Sequence, residues 1–268
     1  MPIHMNYQLR FEQPNIIEET YLLESIDNQI HEIPTPNIDF MPGVKWGNYG
    51  KLFTPAYWKV QYLMFSDNNK FDIDYQLGEN IYEEVVACLL GGFGLKSEIG
   101  LAAFQRLKLK NQIRPGTSFI DLLSSLKEPF SNNGKKARYR FPNQKAKYIS
   151  EFLNRGDLDT IPLNDDILLR DWLLSINGVG PKTAAWITRN YLNSENVAII
   201  DIHIYRACLI MGLYTKNYDV QKDYVKLEKI FLDFCGKLNV QPSKMDALIW
   251  LQMKEANRNV LKLIKDKN

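Results

Sequence analysis

From Asn80 onward, apolar residues recur every three or four positions with polar residues between them. This spacing is typical of helices that bury one face. It predicts helices over Ile81–Leu90, Ser97–Leu107, 117–127, 143–154, 164–175, 181–192, 202–213, 221–235 and 243–256. Signals for strands are few, so the pattern predicts a mainly α protein.

The first 78 residues are harder to interpret. Helical spacing extends over Glu18–Ile30, and four prolines interrupt the stretch that follows. The segment Tyr49–Phe65 is rich in aromatic residues. The pattern leaves room for some strand here, and the fold of this part stays open.

One short segment carries a specific backbone signal, Gly178-Val179-Gly180 between two predicted helices. Without a Cβ at two of its three positions, this turn can adopt positive φ and admit another backbone closely. Pro181 suits the first position of the following helix. The free amides of such a turn and helix start bind phosphate oxygens. We therefore expect a phosphate-binding hairpin, with an ordinary helix–helix turn as the alternative, because a short glycine motif alone is weak evidence.

Two residues near this turn are candidates for chemistry. Lys182 begins the second helix, and a nucleophilic lysine must be partly desolvated or close to positive charge, both of which a helix N-terminus between two lobes can provide. Asp201 directly precedes another predicted helix, where its carboxylate would accept backbone N–H groups. A capping carboxylate is rigid, and one flank can stabilise positive charge at a nucleoside C1′ or help to deprotonate an attacking amine. The alternatives are a solvated lysine and an aspartate that only caps.

Together these residues resemble the helix-hairpin-helix DNA glycosylase superfamily, most of all the archaeal-type 8-oxoguanine DNA glycosylase/AP lyases. The similarity rests on residues 176–184 and on Ile200-Asp201-Ile202-His203. Asn177 stands where the family usually has proline. The resemblance implies that Lys182 forms a Schiff base with the sugar and that Asp201 is the essential carboxylate.

The resemblance also implies a two-lobed helical fold with the active-site cleft between the lobes. We expect residues 80–190 to form a contiguous helical lobe that contains the helix-hairpin-helix. Residues 1–79 and 191–268 would form the second lobe from both chain ends.

A later helix, 243–256, looks like the C-terminal helix of the 8-oxoguanine enzymes, where a polar residue and an aromatic residue hold the extruded purine. Asp246 and Trp250 are spaced i, i+4 and so project from one helix face. We expect Trp250 to stack on the base and Asp246 to accept from its N–H groups, with Trp186 as a further candidate for the pocket wall. The alternatives are that Trp250 and Trp186 lie in the core and Asp246 on the surface.

DNA contacts are expected from several places besides the base pocket. The resemblance assigns backbone contacts to Gly178, Val179, Gly180 and His203. Basic residues interleave with aromatics around Lys136 and Arg138, a mixture that suits a nucleic-acid backbone, although a solvated loop between helices is the alternative. Phe93 lies where the family places an intercalating loop, unless it is buried in a helix–helix turn.

The composition limits which cofactors and which cellular compartment we expect for this protein. The three cysteines, Cys88, Cys208 and Cys235, are too far apart for a four-thiolate iron–sulfur cluster. No apolar run is long enough to span a bilayer, and the N-terminus lacks the layout of a signal peptide. We expect a cytoplasmic, nucleoid-associated monomer that requires no metal and no cofactor, and the hairpin carbonyls can hold a monovalent cation, as in relatives.

These inferences predict a DNA glycosylase with AP lyase activity, acting on double-stranded DNA that contains a damaged or modified base. The favoured substrate is 8-oxoguanine. One alternative is a glycosylase for another modified base, such as one carried by phage DNA. A second is a non-catalytic helix-hairpin-helix DNA-binding protein, against which the presence of both Lys182 and Asp201 argues.

Overall fold

The computed structural model describes residues 27–66, 76–92, 95–132 and 135–255, and this part of the chain is mainly helical, as predicted. Residues 27–31 are helical. The helices that follow are α1 Pro55–Ser66, α2 Ile81–Leu90, α3 Ser97–Leu109, α4 Phe119–Lys127, α5 Pro142–Leu153, α6 Asp166–Leu173, α7 Pro181–Leu192, α8 Ile202–Met211, α9 Tyr224–Leu238 and α10 Pro242–Glu255. Two short antiparallel hairpins pair β1 Asp39–Met41 with β2 Val44–Lys45, and β3 Phe130–Asn132 with β4 Lys135–Ala137. A 3-10 turn covers Leu158–Thr160.

Capping residues explain where two helix ends differ from the prediction. The pattern predicted a helix over 202–213, but α8 stops two residues earlier because Gly212 adopts φ +84°. The pattern predicted 221–235, whereas α9 continues to Leu238 and is capped by Asn239 at φ +52°. Glycine and asparagine tolerate this left-handed conformation, which lets them close a helix.

The described residues cluster into two compact units. The first comprises residues 76–194 and is built around α2, where every residue except Tyr82 is buried. Helices α3, α5 and α7 pack against α2, and α6 packs against α7. A helix that is buried on all sides belongs at the centre of a bundle. This arrangement fixes α7, which carries Lys182.

The second unit comprises residues 27–66 and 195–255. Helix α10 packs against α1, α8 and α9. The Tyr57 hydroxyl of α1 donates to Gln252 Oε1 of α10 at 2.6 Å. The β1–β2 hairpin is joined to α9 by an edge-to-face contact between Phe40 and Phe234, with ring centroids 5.6 Å apart. Part of the N-terminal segment that the sequence left open is therefore a hairpin and a helix that pack on the C-terminal helices.

The three cysteines are buried and form no disulfide. In the part of the chain that the structure describes, no group of three His, Cys, Asp or Glu side chains lies close enough together to hold a metal ion. None of the helices found there combines the length and apolar character that crossing a bilayer requires.

Candidate active site

A tight hairpin joins α6 to α7 in the first unit. Within it the Val179 N–H donates to the Ile176 carbonyl at 3.0 Å, and the Val179 side chain is buried. Gly178 has φ +88°, and a Cβ at this position would overlap the ring of Tyr148. Gly180 has φ −101°, and a Cβ there would meet nothing within 4 Å. The fold therefore requires glycine at 178, whereas Gly180 faces open space.

We expect Gly178→Ala to lower the free energy of unfolding by about 2–4 kcal/mol, from the cost of a left-handed alanine and of overpacking against Tyr148. Gly180→Ala is the matched control, and it should cost less than about 1 kcal/mol because the added methyl group meets no neighbour. Urea denaturation of both variants measures the difference. Equal losses would show that the hairpin backbone does not impose this constraint.

Side chains from α5 and from the segment just after it support the hairpin. Glu151 Oε2 accepts a hydrogen bond from Asn177 Nδ2 at 3.0 Å. Arg155 Nη1 donates to the Ser175 carbonyl at 3.2 Å, and its Nε donates to Asp157 at 2.8 Å. Asn177, which stands where the family usually has proline, is thus held by a hydrogen bond to another helix. The sequence gives no local signal for the hydrogen bonds to Ser175 and Asn177, because they join residues 20 and 26 positions apart.

The start of α7 is open to an anion. Its N-cap, Gly180, has no side chain that could accept a hydrogen bond from the first amides. No described residue accepts a hydrogen bond from the amides of Gly180, Lys182 or Thr183. Free amides at a helix N-terminus bind phosphate and other anions.

Lys182 is half-buried in the first turn of α7, and its side chain makes no hydrogen bond or ion pair with the residues described. Lys182 lies close enough to the Cys88 thiol of α2 to affect its pKa. Burial, and then Glu84, raise the pKa of Cys88, whereas the positive charges of Arg189 and Lys182 lower it. The helix itself is anchored, because Asn190 Nδ2 donates to the buried Glu84 Oε1 at 3.1 Å. A fixed helix thus presents an amine that forms no pair with any described side chain.

Asp201 is the N-cap of α8 in the second unit, which confirms the capping position predicted from the sequence. Its Oδ1 atom accepts from the N–H of His203 at 2.7 Å and from the N–H of Ile204 at 3.0 Å. Within the described part of the chain, nothing donates to Oδ2. Oδ1 therefore caps the helix, and Oδ2 is left to interact with a substrate.

Asp246 is buried, so the surface alternative is wrong. It is 3% exposed, and its Oδ2 atom accepts from the Ile199 N–H at 3.2 Å. Ile199 lies two residues before Asp201, and its carbonyl accepts from the Asp201 N–H at 3.1 Å. Asp246 therefore braces the backbone that leads to the Asp201 carboxylate.

Trp250 is half-buried on the same helix as Asp246. Its ring lies edge-to-face with His203, with centroids 6.3 Å apart, and the Lys254 ammonium lies 4.9 Å from its centroid. Trp250 Nε1 and His203 Nδ1 are both buried, and neither has a hydrogen-bond partner among the residues described. These two buried nitrogen atoms of the second unit are therefore unsatisfied by the described residues.

The other predicted contact residues lie in the first unit. Trp186 is 8% exposed, which favours the interpretation that it is a core residue. Lys136 and Arg138 are exposed; Lys136 belongs to the β3–β4 hairpin, and Arg138 directly follows it. Phe93 lies outside the described residues.

Comparison with known proteins gives a consistent result. A family model for 8-oxoguanine DNA glycosylase matches residues 66–240. An 8-oxoguanine DNA glycosylase/AP lyase of Metallosphaera sedula is 27% identical over 188 residues, which cover 68% of this chain and 86% of that protein. The corresponding protein of Saccharolobus solfataricus is 28% identical over 209 residues, covering 74% of this chain and 94% of that one.

Solved structures agree on the fold. The Methanocaldococcus jannaschii 8-oxoguanine DNA glycosylase has a TM-score of 0.56 at 20% identity and covers 78% of this chain and 99% of its own. The glycosylase/lyase of that organism in complex with a 15-mer DNA containing 8-oxoguanine has a TM-score of 0.50 at 21% identity, covering 75% and 90%. The helical fold predicted from the sequence is thereby confirmed.

Proposed function

Because the chain belongs to the 8-oxoguanine DNA glycosylase family, we propose that it excises 8-oxoguanine from double-stranded DNA and then cleaves the strand as an AP lyase. One observation carries this proposal: the family match over residues 66–240 includes both Lys182 and Asp201. Among the described residues, the Lys182 amine has no partner, and only one oxygen of the Asp201 carboxylate accepts hydrogen bonds. The two named relatives are 8-oxoguanine DNA glycosylase/AP lyases, and the match to this chain covers most of their length. The proposed enzyme is a cytoplasmic monomer that works without a cofactor.

In the proposed reaction Lys182 loses a proton, and its Nζ atom attacks C1′ of the extruded nucleoside. The bond from C1′ to the base breaks, its electron pair leaves with the base, and the base takes up a proton. Asp201 Oδ2 stabilises the positive charge that develops at C1′. The sugar ring opens to an imine on Lys182, and β-elimination then expels the 3′ phosphate and nicks the strand.

Binding and base extrusion are assigned to the surrounding groups. The hairpin at Gly180 and the open amides of α7 bind a backbone phosphate. Extruding the nucleotide costs a few kcal/mol, which these contacts offset. The base stacks on the face of Trp250 that Lys254 does not cover, and His203 contacts the DNA backbone. The base-accepting role of Asp246 stays a prediction.

The β3–β4 hairpin is proposed as an additional phosphate contact. Lys136→Ala is expected to lower the slope of log affinity against log salt by about 1, because one phosphate contact is lost. Lys229→Ala removes an equal charge from an exposed position on α9 and should leave the slope unchanged. Fluorescence anisotropy of labelled duplex at several salt concentrations measures both slopes. An unchanged slope for Lys136→Ala would remove this hairpin from the DNA interface.

A lesion panel tests the proposed function. Duplexes carrying 8-oxoguanine, other modified purines or uracil are incubated with the protein, and base release and strand cleavage are measured separately. We expect release of 8-oxoguanine followed by nicking. Release of a different base only would favour the alternative substrate. Tight binding without any release would favour a non-catalytic DNA-binding protein.

A further inference from the structure

The backbone that leads into Asp201 is buried but belongs to no helix or sheet. Val197, Ala198 and Ile200 are buried, and residues 197–200 adopt no regular secondary structure. Backbone N–H and C=O groups in such a place need partners, since leaving them unpaired is costly. Side chains from α9 and α10 supply these partners.

Three side chains bind three consecutive amides of this segment. Glu228 Oε1 accepts from the Ala198 N–H at 3.1 Å. Asp246 accepts from the next amide, as described above, and the Tyr224 hydroxyl accepts from the Ile200 N–H at 3.1 Å. The amide that follows belongs to Asp201 itself. These three side chains therefore hold the backbone up to the residue that carries the carboxylate.

Of the three side chains, Tyr224 binds the amide nearest in sequence to Asp201 and makes two hydrogen bonds to this segment. Besides accepting from Ile200, its hydroxyl donates to the Ala198 carbonyl at 2.8 Å. One oxygen atom thus ties together the residues one and three positions before Asp201. Tyr224 is only 3% exposed and is the first residue of α9, so the hydroxyl has little freedom to move.

We propose that Tyr224 is a positioning residue for Asp201, because its hydroxyl fixes the backbone from which the carboxylate projects. Tyr224 does not touch the reacting atoms in the proposed reaction. It holds Oδ2 of Asp201 at the place where charge develops on C1′, and misplacement by about 1 Å can slow such a step about 100-fold. The inference rests on the proposed function, since it assigns Tyr224 to that reaction.

Tyr224→Phe tests this role, with Tyr214→Phe as the matched control. Tyr214 is another buried tyrosine of the same unit, 2% exposed, and its hydroxyl donates to the Leu227 carbonyl at 2.7 Å. Each change removes one buried hydroxyl, but only Tyr224 contacts the segment before Asp201. Both variants and the wild type are assayed on an 8-oxoguanine duplex under single-turnover conditions. The endpoint of borohydride trapping gives the active fraction, so loss of folded protein is not counted as slower chemistry.

We expect Tyr224→Phe to lower the single-turnover excision rate about 10- to 100-fold, with the half-saturating protein concentration within about twofold of the wild type. Tyr214→Phe should keep both values within about twofold. Equal rates in the two variants, or a change confined to the half-saturating concentration, would overturn the positioning role and leave the proposed function intact. A wild type that releases no 8-oxoguanine would instead overturn the proposed function and this inference with it.

Discussion

Lys182→Gln is expected to abolish the borohydride-trapped adduct with an 8-oxoguanine duplex and to slow strand cleavage more than about 1,000-fold. Glutamine is similar in size, but its amide nitrogen is not nucleophilic and cannot form an imine. The fold should be unaffected, because the Lys182 side chain makes no hydrogen bond or ion pair with the described residues. Trapping with borohydride followed by denaturing gel electrophoresis measures the adduct directly.

Lys145→Gln is the matched control for this experiment. Lys145 lies in the first turn of α5, and its side chain also has no partner within the described part of the chain. Burial lowers the pKa of Lys145, which increases the fraction of neutral amine at a given pH and makes this residue a rival nucleophile. The variant should trap like the wild type. An adduct that survives Lys182→Gln but disappears in Lys145→Gln would identify Lys145 of α5 as the nucleophile.

The helices could be predicted from the sequence because their signals are local. Periodic apolar residues mark the buried face of each helix, and the carboxylate at Asp201 marks the start of α8 as a capping residue. The predicted helix ends are wrong where a single residue in the left-handed conformation closes the helix. Gly212 ends α8 through its left-handed conformation, and Asn239 lets α9 extend three residues beyond its predicted end.

The candidate site could be predicted only in part, because its supports are contacts between distant positions. The sequence identified both hairpin glycines but not that Gly178 is demanded by the Tyr148 ring whereas Gly180 is not. It placed Asp246 on a helix face but not beneath the backbone of Ile199, 47 positions away. Tyr224 carries no motif at all. Its importance follows only from the three-dimensional position of one hydroxyl group.

Asp201→Asn is expected to slow base excision about 100- to 1,000-fold while the affinity for 8-oxoguanine duplex stays within about twofold. Asparagine caps a helix as well as aspartate does, so the oxygen that accepts from His203 and Ile204 can be retained. What is lost is the negative charge on the second oxygen, which the proposed reaction needs when C1′ becomes positive. Single-turnover base release and equilibrium binding to the same duplex separate these two effects.

Asp165→Asn controls for the loss of a capping charge. Asp165 caps α6 in the same manner, accepting from the Leu168 N–H at 2.8 Å, but the proposed reaction gives it no part. Its variant should excise like the wild type and melt at nearly the same temperature as Asp201→Asn. If Asp201→Asn excised 8-oxoguanine at the wild-type rate, Asp201 would be a capping residue only. If the two variants lost activity equally, the charge at a helix start, rather than the carboxylate beside C1′, would account for the effect.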